Sequence, residues 1–292
     1  MSSSPAARRL SLRLLLSVAA VTRRLQAWRP RRPLRGVQRL ARWMEGRGLH
    51  YAGTVRLPGG IRTHIDSDMG AERTLLFFGV YQPALAHALR QHTPPGGHCL
   101  DVGANIGYFT LHLARLVGSA GRVAAFEPDP ALAGRIRRNV ALNGFRQVAV
   151  IEKAVDGRSG QATFYVAAQP GKSSLVAAMV AQPLQRLVVE TVTLDDFLRE
   201  RGWPRLDVIK IDVEGNDCRV LLGGREALAR FRPFVAFEYH YGTAPEVAGA
   251  AAELLGGLGY ALWGLRLNGE RFPFAWEAGG PLDHVDVLAW PG

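Results

Sequence analysis

Four ionisable residues close two apolar runs. Asp212 and Glu214 follow Leu206-Asp207-Val208-Ile209-Lys210-Ile211, and Glu238 and His240 end the run that starts Phe234-Val235-Ala236-Phe237. Such runs read as buried strands, and packing has no use for charge at their ends, so chemistry is the better explanation. His240 or Glu214 can take a proton as a general base. Carboxylates at 212, 214 and 238 can instead hold Mg²⁺ or a similar hard ion, which prefers oxygen ligands. Base chemistry without a metal is the favoured reading. A second group is Leu100-Asp101-Val102-Gly103-Ala104-Asn105-Ile106-Gly107-Tyr108, with Glu127 twenty residues beyond Gly107. Gly103 permits a tight turn, and Gly107 leaves room for close approach. The helix that follows presents unpaired N–H groups to a ligand. Glu127 ends the apolar run Val123-Ala124-Ala125-Phe126, where a carboxylate can accept both hydroxyls of a ribose.

These positions require strands and helices in alternation. A strand ends at Asp101-Val102, and a helix runs from about Gly107 to Val117, stopped by Gly118. Asp129 caps the next helix, Pro130 takes its first position, Leu132, Ile136 and Val140 form its inner stripe, and Gly144 ends it. Val148–Ile151 is a third strand. The runs 162–166 and 188–192 read as strands outside this alternation. Thr193 caps a helix over 194–201. Strands over 206–212 and 234–240 then deliver Asp212, Glu214, Glu238 and His240 to the carboxyl edge, where ligands bind in open α/β sheets. An alanine-rich helix from Glu246 to Leu258 leads to strands at 260–263 and 286–290. The linker between those strands, with Trp276 and Gly279-Gly280-Pro281, is a candidate wall for a second ligand.

The pattern D-x-G-x-N-x-G lacks the middle glycine of the dinucleotide fingerprint and is similar to the S-adenosylmethionine (SAM) loop of class I methyltransferases. Asp101-Val-Gly-Ala-Asn-Ile-Gly107, Phe126-Glu127-Pro128, Thr193-Leu-Asp-Asp-Phe197 and Ile209-Lys-Ile-Asp-Val-Glu-Gly215 together resemble the FkbM family of SAM-dependent methyltransferases, over a core of 98–240. Gly171-Lys172-Ser173-Ser174-Leu175 matches a family-like G-x-S-S-L stretch. The resemblance implies a Rossmann-like α/β fold: a mostly parallel seven-stranded sheet, its last strand antiparallel, with helices on both faces. It implies SAM held by Asp101, Gly103, Asn105, Gly107 and Glu127, and O-methylation of a hydroxyl on a sugar, glycan or other secondary metabolite. Asp156 lies where such folds touch adenine; it can accept from the adenine amino group, or simply form the turn before Gly157.

Charge is unevenly spread. Residues 1–47 hold twelve arginines and one acid, Glu45, which account for the whole formal net charge of +11. The balanced remainder gives no electrostatic case for nucleic acid. The expected organisation is an N-terminal arm (1–50), a hairpin and helix leading into the core (51–97), and a cofactor-binding domain (98–292). On a helix, Leu10, Leu14, Val18, Val21, Leu25 and Trp28 share one stripe opposite Arg8, Arg9, Arg13, Arg23 and Arg24. Such a helix can lie on an anionic membrane surface through residues 8–28, or be a bland extension. Cys99 and Cys218 show no metal or disulfide spacing, so a reducing, cytoplasmic setting is expected, peripheral to the inner membrane face if the arm binds there. Two alternative functions stay open: an NAD(P)-dependent oxidoreductase, and a catalytically silent, membrane-associated SAM-binding protein.

Overall fold

The computed structural model describes residues 16–23, 46, 49–68, 70–168, 171–276 and 283–292. Two compact units divide the chain, Met1–Pro83 and Ala84–Gly292.

In the first unit, strands β1 (Ala52–Arg56) and β2 (Arg62–Asp66) form the expected antiparallel hairpin, followed by helix α1 (Gly70–Phe78). Residues 16–23 are helical. Val18 and Val21 are exposed, whereas Ala19 is buried, Thr22 Oγ1 donates to the Phe77 carbonyl oxygen at 2.6 Å, and Arg23 donates to that of Leu76. The last carbonyls of a helix lack partners within it, and the polar side of the arm satisfies them here. Leu10, Leu14, Leu25, Trp28 and most of the arm's arginines lie outside the described residues, so the membrane expectation for 8–28 largely falls there too. Among the described residues no helix is long and apolar enough to cross a membrane.

The second unit opens with helix α2 (Pro83–His92) at its boundary and is built on eight strands: β3 (His98–Val102), β4 (Arg122–Phe126), β5 (Val148–Ile151), β9 (Val208–Ile211), β10 (Phe234–His240), β11 (Tyr260–Leu265), β12 (Arg271–Pro273) and β13 (His284–Pro291). Their order is β12-β11-β13-β10-β9-β3-β4-β5. The five from β10 to β5 run parallel, and β13 enters antiparallel between β10 and β11. The expectation of seven strands is corrected to eight. The three-residue β12 pairs antiparallel with Trp263–Leu265 and extends the edge. A separate sheet, order β6-β8-β7, joins β6 (Ala154–Val155), β7 (Gly160–Ala167) and β8 (Pro183–Val192).

Strand alternation sends residues to two faces. Leu100, Val102, Phe126, Ile209, Ile211 and Phe237 pack on one face against helices α5 (Leu194–Arg201), α6 (Asp217–Leu222), α7 (Arg225–Phe231) and α8 (Pro245–Gly257). Burying each such side chain is worth about 1.5–3 kcal/mol. On the other face lie α3 (Tyr108–Val117) and α4 (Pro130–Asn143): Thr110 of α3 bonds Asp101, and Ile136 of α4 packs with Ala104 and Ala125. Asp129 and Thr193 cap α4 and α5 as expected, accepting from Leu132 and Asp196 N–H groups respectively. The inner stripe of α4 is shifted, however. Ala133, Ile136 and Asn139 are buried, because Asn139 Nδ2 donates to the Ile106 carbonyl oxygen at 3.0 Å and so holds the glycine loop.

Candidate active site

The loop after β3 runs through positive φ at Gly103 (75°), Asn105 (54°) and Gly107 (87°). Side chains disfavour this region, and glycine does not. At Gly103 a Cβ would also collide with the carbonyl oxygen of Asp212, so the loop lies directly on the chain leaving β9. At Gly107 a Cβ would stand 3.2 Å from Ile136 Cγ2, so this glycine admits α4. The Gly103 and Ala104 N–H groups both donate to the Phe126 carbonyl oxygen, at 3.1 and 2.9 Å.

Glu127 clamps the loop from the next strand. Its Oε2 accepts from Asn105 N at 2.8 Å and its Oε1 from Asp129 N at 3.0 Å. Burial pushes its carboxyl up to about 8, against the pull of those two donors. Each carboxylate oxygen has more than one acceptor site, so hydroxyl donors can still be accommodated. Asp101 is fully buried, accepts from Thr110 Oγ1 at 2.6 Å and lies 3.4 Å from Lys210 Nζ, bracing the loop from beneath. Asp156 Oδ1 accepts from Gly157 N and from Asn216 Nδ2, joining the turn after β6 to the loop after β9.

Three of the four expected acid–base residues converge. Glu238 and His240 point to the same side of β10, and His240 Nε2 lies 2.6 Å from Glu238 Oε2. Burial alone would lower the His240 pKa, but the Glu238 hydrogen bond and charge raise it; the same pairing lowers that of Glu238 despite its burial. Glu214 has φ 54°, a strained value for a residue with a side chain, and Ser174 Oγ donates to its carbonyl oxygen at 2.7 Å. Burial pushes its carboxyl up to about 7, with Asp212 adding to the effect. Asp212 leans toward Lys210, 3.5 Å away, and burial raises its pKa. Ligand atoms of Glu214, Glu238 and His240 all lie within 4.8 Å of one another; Asp212 stands outside that trio. Trp276 stacks at 5.9 Å on Phe237 of the core, and Gly279–Pro281 lie outside the described residues. A groove of about 580 Å³ lined by Arg122, Arg146 and Gln147 lies at the opposite, amino-terminal edge of the sheet and holds none of these acids.

Several participants were not singled out from sequence. Lys210, buried at the centre of an apolar strand, donates to the Gly103 carbonyl oxygen at 3.1 Å. A lone lysine flanked by Ile209 and Ile211 was the available signal. Lys172, in the G-x-S-S-L stretch, donates to both Glu214 oxygens, at 3.0 and 2.8 Å. Burial raises the Asp217 carboxyl well above the usual carboxylate range and pushes that of Asp286 up to about 7. No motif marked them.

The methyltransferase FkbM domain family matches residues 101–262. The chain is similar to the 2-O-methyltransferase NoeI of Sinorhizobium fredii, 31% identical over 154 residues, covering 48% of this chain and 62% of that protein. It is 29% identical over 236 residues to the 31-O-demethyl-FK506 methyltransferase FkbM of Streptomyces tacrolimicus, covering 69% of this chain and 85% of that one. Against the relatives NoeI, sdnD of Sordaria araneosa and methyltransferase 1 of Beauveria bassiana, the chain spans about three fifths of their length (62%, 61% and 59%). Among solved structures, the methyltransferase FkbM of Methylobacillus flagellatus KT aligns with a TM-score of 0.43 at 17% identity, over 70% of this chain and 50% of that one.

Proposed function

Because the chain belongs to the FkbM methyltransferase family, we propose that it moves a methyl group from SAM to a hydroxyl oxygen of a sugar, glycan or other secondary metabolite. The observation that carries this reading is the juxtaposition at one sheet edge: the Gly103–Gly107 loop clamped by Glu127 stands beside the Glu214, Glu238 and His240 cluster. The donor set suits SAM. Glu127 offers acceptors for ribose hydroxyls, the half-exposed turn at Asn105 lines the same loop, and Asp212 offers a carboxylate to an amino group. Asp156 sits one step further along, at the turn after β6, as a candidate for the adenine amino group. When bound, SAM supplies an electrophilic methyl on a positively charged sulfur.

The chain's own task is then to hold an acceptor oxygen in line with that methyl and to relieve it of its proton. An alcohol is too weak an acid to ionise alone at neutral pH. Glu214 and His240 supply proton-accepting groups at the carboxyl edge, with Glu238 orienting the His240 ring. The relatives named above include O-methyltransferases, and a hexuronic acid methyltransferase, AglP of Haloferax volcanii, is 28% identical over 146 residues; these names support a sugar hydroxyl as acceptor. The test is transfer of label from methyl-labelled SAM into extracts of the producing cell, followed by identification of the product. A labelled, alkali-stable ether on a hydroxyl is expected. Absence of transfer, together with thermal stabilisation by NAD and not by SAM, would replace this reading with the oxidoreductase one.

A further inference from the structure

Among the described residues, two groups of histidine and acidic side chains bring three ligand atoms within 4.8 Å of one another. His50, Asp66 and Asp68 form the first, on the β1–β2 hairpin and open to solvent. Glu214, Glu238 and His240 form the second, and each is at most 8% exposed. Burying two carboxylates side by side is costly unless a cation compensates them. A cation does stand at one side: the Lys172 ammonium, on a side chain 44% exposed, straddles both oxygens of Glu214. On the other side, His240 and His284 lie 2.6 and 3.4 Å from the two Glu238 oxygens. Asp217, 2% exposed, has no hydrogen-bond partner for either carboxylate oxygen among the described residues, and Asp212, Glu238 and His240 act on it electrostatically. Asp286 stands directly across from Glu238 in the β10–β13 register and adds a further acid. The other nearby ammonium, Lys210, is committed to Asp101, Asp212 and the Gly103 carbonyl oxygen.

We propose that Glu214, Glu238 and His240 form a binding site for one first-row divalent cation at the acceptor end of the cleft. One imidazole nitrogen and two carboxylates suit Mn²⁺, Co²⁺ or Zn²⁺ better than Mg²⁺, which favours an all-oxygen shell. The ion replaces the Glu238–His240 hydrogen bond with two bonds to itself and competes with Lys172 for Glu214. Its part in methyl transfer rests on the function proposed above. There, with Glu214 and His240 serving as ligands in place of bases, the ion would polarise the acceptor hydroxyl, whose proton passes to solvent; the oxygen lone pair forms the O–C bond as the C–S bond breaks, and sulfur leaves as a neutral thioether.

The test is equilibrium dialysis of the chelator-treated full chain against Co²⁺ and Mn²⁺, with neither SAM nor acceptor present. One ion per chain is expected, and Co²⁺ should show the visible absorption of an imidazole-ligated site. Glu238→Gln and His240→Ala should each weaken uptake roughly tenfold or more while still melting cooperatively. Lys172→Met should strengthen it, and His50→Ala should leave it unchanged. If Glu238→Gln does not fold, Glu214→Gln carries the same expectation. No uptake at about 1 mM free ion, or uptake indifferent to Glu238→Gln and His240→Ala, overturns the proposal. Dialysis needs no turnover, so a failure here leaves the methyl-transfer reading to its own assay, and a failure there leaves this site standing.

Discussion

Lys210 Nζ donates to the carbonyl oxygen of Gly103 at 3.1 Å, across 107 residues of sequence. Parallel pairing makes the contact: Lys210 is the register partner of Asp101, two residues before Gly103. The ammonium therefore neutralises the buried Asp101 and orients the turn with one side chain. Breaking a buried pair leaves an uncompensated charge, at a cost of about 3–5 kcal/mol. Lys210→Met should lower the unfolding free energy by that order in urea titration, and adding Asp101→Asn should restore part of it. Additive losses would show that the two residues do not act as a pair.

Gly103 should tolerate no side chain. Gly103→Ala places a Cβ against the Asp212 carbonyl oxygen at φ 75°, whereas Gly118, at φ 67°, has nothing within 4 Å of a built Cβ. Gly118→Ala should cost about 1–3 kcal/mol from backbone strain alone, since ψ there is −169°. Gly103→Ala should cost more and weaken SAM binding as well, read by thermal melting with and without SAM. Equal effects at the two glycines would contradict the close approach of the loop to β9.

His112, on α3, gives a pH dependence remote from the acid cluster. Its Nε2 is sealed from solvent without a partner among the described residues, and burial lowers its pKa to about 4. The unfolded chain takes up this proton near pH 6.5, whereas the native chain resists it until about 4. Stability is therefore present above pH 6.5 and lost as pH falls toward 4, by up to about 3 kcal/mol. His112→Leu should remove that loss, so parent and variant should diverge between pH 6.5 and 4 in urea unfolding. Parallel pH profiles would place the ring in contact with water.

His240→Ala should leave SAM affinity within about twofold and lower turnover roughly 100-fold or more. Initial rates at saturating SAM, beside a separate SAM titration, read the two effects. An unchanged rate removes His240 from the chemistry.

The sequence made local structure legible where the chemistry is local. Asp129-Pro130 and Gly144 bound α4, and Thr193 starts α5, because caps act within a few residues. The glycine loop and the strand-end residues Glu127, Asp212, Glu214, Glu238 and His240 were visible for the same reason. What strand register and loop docking decide was not visible: Lys210 beside Asp101, and Lys172 reaching Glu214 across 42 residues. The inner face of α4 was legible in part: Ile136 and Val140 pack inward, but the buried Asn139, which holds Ile106, carries no apolar signal. Helix α1 and the short strand β12 carry no distinctive cap or alternation, and neither was foreseen.

In the proposed reaction a nucleoside sulfonium binds across the ends of β3 and β4, gripped by Glu127. Calorimetric titration of SAM into the parent chain and into Glu127→Ala tests it most directly. Saturable binding to the parent is expected, weakened roughly 10- to 100-fold by the substitution, as for loss of two hydrogen bonds worth about 0.5–1.5 kcal/mol each. Equal affinity in the two proteins, or no binding to the parent, would contradict it.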